Sequence, residues 1–459
     1  MSPQEQAILQ SESSSETEVG KKTKVLWTKD GAPYVICESS EAFVNPTTTP
    51  GTKPEDVLQR LNLDLGQKLI TRNNKALLWV IRFLDRLCFE WWETIFFELW
   101  KKVPFVVRRG LTIRGWKIYL RLHRFLLGRR TGMHPSQSEE YHALSTFMWW
   151  GRFFTITPRR MRFSLSQLSV CAPNIVQSRV KYLEQRMVIK QAPVAQQDHC
   201  TVRGMYLQQG EKPTEKVLCW IYGGAYLAGD TLGNSAPADW VGKQCHMDVF
   251  LPEFRLAPEA TFHDIIWDVC LAYKWLTQRV NPSNIILFGV SSGGAVSVRM
   301  MQLIAEFQRG EEMLPTYISL LVEDMKMPRG AVLLGPYVDY TEIKKGSFLH
   351  YPRLDLIVTE AVQEYNLPLL TDFIPPGRRL EYSPVYRSMK GLPPLCVVVS
   401  EHEAVYDMTI ELVNRARGEG VSVSLGVWKY MCHVFSLLWG FAPEGELSMN
   451  YVCQWIKQN

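Results

Sequence analysis

The chain has 459 residues, 46% hydrophobic and 21% charged, with 51 Lys and Arg against 46 Asp and Glu for a net charge of +5. That length accommodates one large α/β core of about 280 residues plus roughly 180 more, and so small a net charge specifies no partner. The ten cysteines show no Cys-x-x-Cys and no finger-like Cys/His spacing, which excludes a zinc finger. Cys219 and Cys396 in strand-like runs and Cys270 in a helical one read as buried thiols of a reducing compartment. No metal site and no cofactor are expected.

The chain begins Met1-Ser2-Pro3-Gln4-Glu5, without the basic and apolar stretches of a secretory signal. Asn45 and Asn281 precede proline, so neither opens a glycosylation sequon. The expectation is an intracellular, cytoplasmic protein, at most peripheral on a membrane. Residues 1–60 are largely polar and expected to be mostly disordered, with Ser11 to Glu18 almost all Ser and Glu and a Pro/Thr-rich stretch from Asn45 to Pro54.

Residues 61–179 read as a helical, aromatic-rich, basic cap. Around Trp79, Phe83, Trp91, Trp92, Phe96 and Trp100, the charges Arg82, Arg86, Glu90 and Glu93 recur every three or four residues. That is well short of the ~18 uncharged residues of a membrane span, and it predicts an amphipathic helix with a wide apolar face. From Lys101 to Gln137 every charged residue is basic. Arg114, Lys117, Arg121 and Arg124 share one predicted helical face beside Trp116 and Phe125, which suits an anionic membrane surface contacted through residues 76–130. A cap whose charges are simply solvated fits as well, and the two readings are compatible. No nucleic-acid module accompanies the charge. Ser136 to Val180 reads as further helices.

Residues 180–459 alternate strand-like and helix-like patterns. Val217–Tyr222 reads as a buried strand running into Gly223-Gly224-Ala225, small residues that let backbone N–H groups face a ligand. Asn284–Phe288 reads as another strand, then Gly289-Val290-Ser291-Ser292-Gly293, then a helix from Ala295. A strand, a Gly-x-Ser-x-Gly turn and a helix are the context of a nucleophile elbow. Arg309–Met327 is an insertion after that helix. Leu395–Val399 is a continuous apolar run expected of a central parallel strand, and three carboxylates past its end compete to orient a base: Glu401, Glu403 and Asp407. Val423–Trp428 alternates like a last strand and places His433 on the loop after it, where a general base belongs. His402 and His263 are weaker histidine candidates, and Cys432 is read as a packing residue rather than a nucleophile.

Several of these strings resemble the hormone-sensitive-lipase-like branch of the α/β-hydrolases. Gly289-Val290-Ser291-Ser292-Gly293-Gly294 is similar to its Gly-Asp-Ser-Ala-Gly-Gly elbow, and Tyr222-Gly223-Gly224-Ala225-Tyr226 to its His-Gly-Gly-Gly-Phe loop. Glu253-Phe254-Arg255-Leu256-Ala257-Pro258-Glu259 is similar to Asp-Tyr-Arg-Leu-Ala-Pro-Glu. Gly391-Leu392-Pro393-Pro394 and the stretch Val427–Phe435 match as well. The resemblance covers roughly residues 180–459. It implies an α/β-hydrolase fold with a mostly parallel sheet flanked by helices and an enlarged N-terminal cap. It also implies Ser291 as nucleophile, His433 as base, Glu403 as acid, and the N–H groups of Gly223, Gly224 and Ser292 as oxyanion donors.

Two departures bear on that expectation. Tyr222 stands where the family has a loop-bracing histidine, predicting weaker preorganisation, and Val290 replaces an acidic residue beside the serine. The implied activity is hydrolysis of a hydrophobic carboxylic ester or lactone. Other acyl chemistry on the same triad and non-catalytic binding of a small molecule are the alternatives. Intact Ser291, Glu403 and His433 count against the last.

Overall fold

The computed structural model describes residues 23–27, 33–37, 83, 90–126, 137–151, 158–167, 176–311, 315–341, 346–350, 355–358, 374 and 376–459. Near the N-terminus, β1 (Thr23–Trp27) and β2 (Pro33–Cys37) pair antiparallel. The rest of the segment expected to lack order, and the start of the amphipathic helix expected around Trp79 to Arg86 apart from Phe83, lie outside the described residues.

The cap contributes α1 (Glu90–Lys102), α2 (Phe105–Leu126), α3 (Glu139–Gly151) and α4 (Pro158–Ser166). Pro104 separates the first two, since its ring and missing N–H cannot continue a helix but fit the start of the next.

An eight-stranded sheet follows, in the order β10-β9-β8-β7-β5-β6-β4-β3. Its strands are β3 (Arg179–Arg186), β4 (Thr201–Gln208), β5 (Val217–Ile221), β6 (Asp248–Glu253), β7 (Ile285–Val290), β8 (Gly330–Leu334), β9 (Leu395–Ser400) and β10 (Val423–Trp428). From β6 to β10 all neighbours are parallel, while β4 pairs antiparallel with both β3 and β6. β5, β7, β8 and β9 are buried at every residue, which is why they read as unbroken apolar runs rather than alternating ones. β3 closes one edge with a largely exposed, charged sequence, a surface that discourages pairing with another chain.

Helices α5 (Thr231–Cys245), α6 (Phe262–Thr277), α7 (Ser292–Arg309), α8 (Tyr406–Gly418) and α9 (Pro443–Gln458) cover the sheet. α5 packs with α9 and on β6, and α6 packs with α7, which lies on β7. Beneath them Trp220 stacks on Phe288 with centroids 4.0 Å apart, and its indole N–H reaches Asn234. α7 also carries a buried ion pair, Arg299 to Glu306 at 2.7 Å, which Arg387 joins at 3.0 Å. The parallel strands all end at one edge of the sheet, the place where open α/β sheets bind ligands. Gly223, Ser291, Gly335, Glu403 and His433 all follow the C-terminal ends of those strands.

Candidate active site

Ser291 links the last residue of β7 to the first of α7 with φ 52° and ψ −119°. A non-glycine residue there costs of order 1–3 kcal/mol and persists only where the surroundings hold it. Its N–H donates to the Leu334 carbonyl at 2.8 Å, and its carbonyl accepts from Gly294 at 2.9 Å and Tyr337 at 3.2 Å. The flanking glycines are steric necessities: a Cβ on Gly289 would lie 2.5 Å from Gly294 Cα, and one on Gly293 would run into the Ile221 carbonyl.

His433 Nε2 lies 2.8 Å from Ser291 Oγ, and His433 Nδ1 lies 2.8 Å from Glu403 Oε2. A carboxylate can only accept, so Nδ1–H donates to Glu403 and the Nε2 lone pair faces the serine hydroxyl. Glu403 and His433 are buried, whereas Ser291 is only half-buried. Burial alone would push His433 below the ordinary imidazole value. The hydrogen bond and charge of Glu403, with Asp355 adding, outweigh it and hold His433 raised. Glu403 is held above the usual carboxylate range by burial, only partly offset by His433. Its Oε1 accepts from the Ser400 N–H at 3.0 Å.

Asp355 is a residue that the sequence reading missed. It is fully buried. Oδ1 accepts from the backbone N–H of His433 at 3.1 Å, and Oδ2 from that of Ala404 at 3.0 Å. Oδ1 also takes Ile357 and Val358 N–H groups of its own turn. One carboxylate thus ties the loop bearing the histidine to the loop bearing the acid. The sequence signal was a lone acid in an apolar run, Leu354-Asp355-Leu356-Ile357-Val358.

Past β5, a Cβ on Gly223 would stand 2.9 Å from Ser291 Cβ, so this backbone runs directly beside the serine. Gly224 has φ 132°, and Ala225 and Tyr226 follow at φ 55° and 63°. The turn is stapled by Leu227 and Ala228 N–H groups to the Gly224 carbonyl and by Ala257 N–H to the Tyr226 carbonyl. Tyr226 N–H donates to Ser292 Oγ at 3.3 Å. Ser292 opens α7, where unsatisfied N–H groups and the helix dipole favour negative charge.

Residues 218–437 match a family model described as α/β hydrolase fold. The chain thus has an α/β-hydrolase fold and is similar to that family's hormone-sensitive-lipase-like branch. It is 27% identical over 255 residues to an esterase of Acinetobacter venetianus, spanning 54% of this chain and 76% of that one. It is 22% identical over 243 residues to the carboxylesterase/phospholipase LipF of Mycobacterium tuberculosis, spanning 53% and 62%. Its fold is similar to the crystal structure of an esterase from the bacterial hormone-sensitive lipase family, with TM-score 0.57 and 24% identity, covering 70% of this chain and 98% of that one.

Here Tyr222 braces the loop at the position where that family has a histidine, by other contacts. Its ring stacks on Phe254 at 4.2 Å, its hydroxyl accepts the Phe254 N–H at 3.3 Å, and a Cβ on Gly229 would collide with the ring. Arg255 of the Glu-Phe-Arg-Leu-Ala-Pro-Glu string grips Asp268 of α6 through two 2.8 Å bonds. Arg162 of α4 donates to the Leu227 and Ala257 carbonyls at 2.7 and 2.8 Å and pairs with Glu259, holding that exposed carboxyl down at about 2. The cap is therefore tied to the loop beside the serine. It also reaches the histidine loop, where Cys432 N–H donates to Tyr141 of α3 at 2.7 Å, and Ser138 N–H and Oγ–H donate to the buried Glu444.

The other candidates have structural places. Asp407 accepts from Ser347 N–H, and His402 stacks on Tyr430 and accepts its N–H. His263 lies against Tyr382. Glu401 is buried beside His402, 3.7 Å from its Nδ1. Cys432 is fully buried, and burial pushes its thiol far up, as it pushes Cys219 and Cys270 to about 12. Cys219, Cys270 and Cys396 are buried free thiols, as expected. A cleft of about 770 Å³ lies between the cap and residues 230–259, lined by Phe97, Arg108, Arg162, Phe163, Asp230 and Pro258 among others, but not by Ser291, Glu403 or His433.

Proposed function

We propose that this hydrolase cleaves hydrophobic carboxylic esters through an acyl-enzyme on Ser291. The observation that carries the reading is the unbroken line Ser291 Oγ–His433–Glu403, two contacts of 2.8 Å ending at a serine on a strained elbow. Glu403 holds His433 in the tautomer with its proton on Nδ1. His433 Nε2 takes the Ser291 proton as Oγ attacks the ester carbonyl. The carbonyl oxygen becomes an oxyanion facing the N–H groups of Gly223, Gly224 and Ser292, donors set in place before the charge develops. His433 then gives its proton to the departing alkoxide, and the alcohol leaves. Water, deprotonated by the same nitrogen, adds to the acyl-enzyme, and Ser291 is regenerated as the acid departs. The sequence needs no cofactor.

The serine is set against a buried aromatic group. Tyr337, whose N–H holds the Ser291 carbonyl, stacks on Phe348 at 5.6 Å, and Tyr340 and Phe262 continue the aromatic group. The esterase names of the relatives support ester hydrolysis. The test is hydrolysis of p-nitrophenyl acetate, butyrate and decanoate by wild type and Ser291→Ala. Turnover lost in the variant is the expected result, and the acyl-length profile sizes the pocket. A folded wild type no faster than buffer contradicts the proposal and favours a non-catalytic binder. Acyl transfer to an added alcohol outrunning hydrolysis would make the chain a transferase on the same triad.

A further inference from the structure

α2 meets the rest of the protein through one face. Trp116 sets its ring edge-on to Phe441, the Tyr119 hydroxyl donates to the Ala143 carbonyl at 3.0 Å, and the His123 ring lies 3.2 Å from Thr146 Oγ1. The opposite face is the unusual one. Leu111, Ile118, Leu122 and Phe125 follow each other at helical spacing and all are exposed, Phe125 by 86%. Gly115 sits in the same line, and a Cβ built there would meet nothing within 4 Å. Val107 and Leu126, each four residues from a member of the line, extend it at the two ends with 48% and 68% exposure. Most of the exposed large apolar side chains among the described residues belong to the cap, whereas soluble surfaces usually scatter them singly.

The charges beside this stripe are all of one sign. Arg114, Lys117 and Arg121 are exposed and run parallel to it, one position away. No Asp or Glu occurs between Glu98 and Glu139. A two-fold dimer through this face would set cations against cations, with no carboxylate of α2 to meet them. No helix among the described residues is long and apolar enough to cross a membrane. An apolar stripe lined by Arg and Lys matches an anionic lipid surface, with acyl boundary for the stripe and headgroup charge for the flank.

We propose that α2 is a docking surface for anionic membranes, lying in the interfacial plane with Ile118, Leu122 and Phe125 inserted and Arg114, Lys117 and Arg121 on the headgroups. The inference does not depend on the chemistry at Ser291.

The test is co-sedimentation of the full chain with phosphatidylcholine vesicles, with and without phosphatidylserine, at low and high salt. Two triple variants accompany wild type: R114Q/K117Q/R121Q and I118S/L122S/F125S. Unchanged melting and unchanged turnover of a soluble short-chain ester show that each is folded. Wild type is expected to prefer phosphatidylserine vesicles and to lose that preference at high salt. The charge variant should bind them about a hundredfold more weakly, from a roughly fivefold loss per cation compounded over three. The apolar variant should lose binding to both vesicle types. Wild type that ignores phosphatidylserine, or variants that bind as wild type does, would overturn the proposal. So would an oligomer of wild type that only the apolar variant dissociates, since a second copy would then cover the stripe.

Discussion

Asp355→Asn is the substitution from which most can be learned. In wild type the two carboxylate oxygens accept four backbone N–H groups, including those of His433 and Ala404. The amide replaces one acceptor oxygen with an NH2 that can only donate. Its best orientation keeps the three bonds at Oδ1 and turns a donor toward the Ala404 N–H, next to Glu403. A buried donor left without an acceptor costs about 1–3 kcal/mol. Relief requires the Glu403 loop to move away from His433. A loss of about 1.4–2.7 kcal/mol in transition-state stabilisation is a fall in kcat of roughly 10- to 100-fold. Asp355 also helps to raise His433, so removing its charge moves the acid limb of the pH profile to lower pH. The assay is kcat and kcat/KM against pH on a soluble p-nitrophenyl ester, with a melting curve. A purely structural residue would lower the melting temperature and leave the pH limb in place. Unchanged kcat and an unmoved limb would refute the positioning role.

The wild-type pH profile itself is predictable in sign. The base must be unprotonated and His433 is raised above 6.5, so kcat/KM should rise with pH through a midpoint above that value; a midpoint below 6.5 would contradict the pairing with Glu403. The same shift makes its stabilising contribution full below the ordinary imidazole value and lost as pH rises through the folded one, measurable as a stability slope. Gly293→Ala puts a methyl against the Ile221 carbonyl, so the elbow must open, and esterase activity should vanish even where soluble protein is recovered. Glu306→Ala removes the buried carboxylate that pairs with both Arg299 and Arg387. Such losses run to about 3–5 kcal/mol, which a lower denaturant midpoint at unchanged slope would show.

The sheet was legible because burial on both faces leaves an unmistakable mark on a strand. Val217–Ile221, Leu395–Ser400 and Val423–Trp428 stand within a residue of where their apolar runs place them. The elbow was legible because its glycines are demanded by contacts to nearby chain. Local pattern could not choose among Glu401, Glu403 and Asp407, since all three follow β9. Which carboxyl meets His433 depends on how the turn after β9 directs each side chain, and the family resemblance made that choice. Asp355 was invisible for a related reason. Its partners are backbone N–H groups 49 and 78 residues away, and backbone donors leave no residue type to recognise. The cap's hold on the active-site loops escaped notice likewise, because Arg162 reaches carbonyls rather than a complementary side chain. Tyr222 looked like a loss in sequence because its stack on Phe254 and its close fit over Gly229 exist only once the loop is folded.

The central claim is that Ser291 is made nucleophilic by His433. The direct measurement is labelling of the full chain with a fluorophosphonate, followed by intact mass and peptide mapping. The account predicts a single adduct on the peptide carrying Ser291, absent from Ser291→Ala and much slower to form in His433→Ala. An adduct elsewhere, or undiminished labelling in the His433 variant, would contradict it.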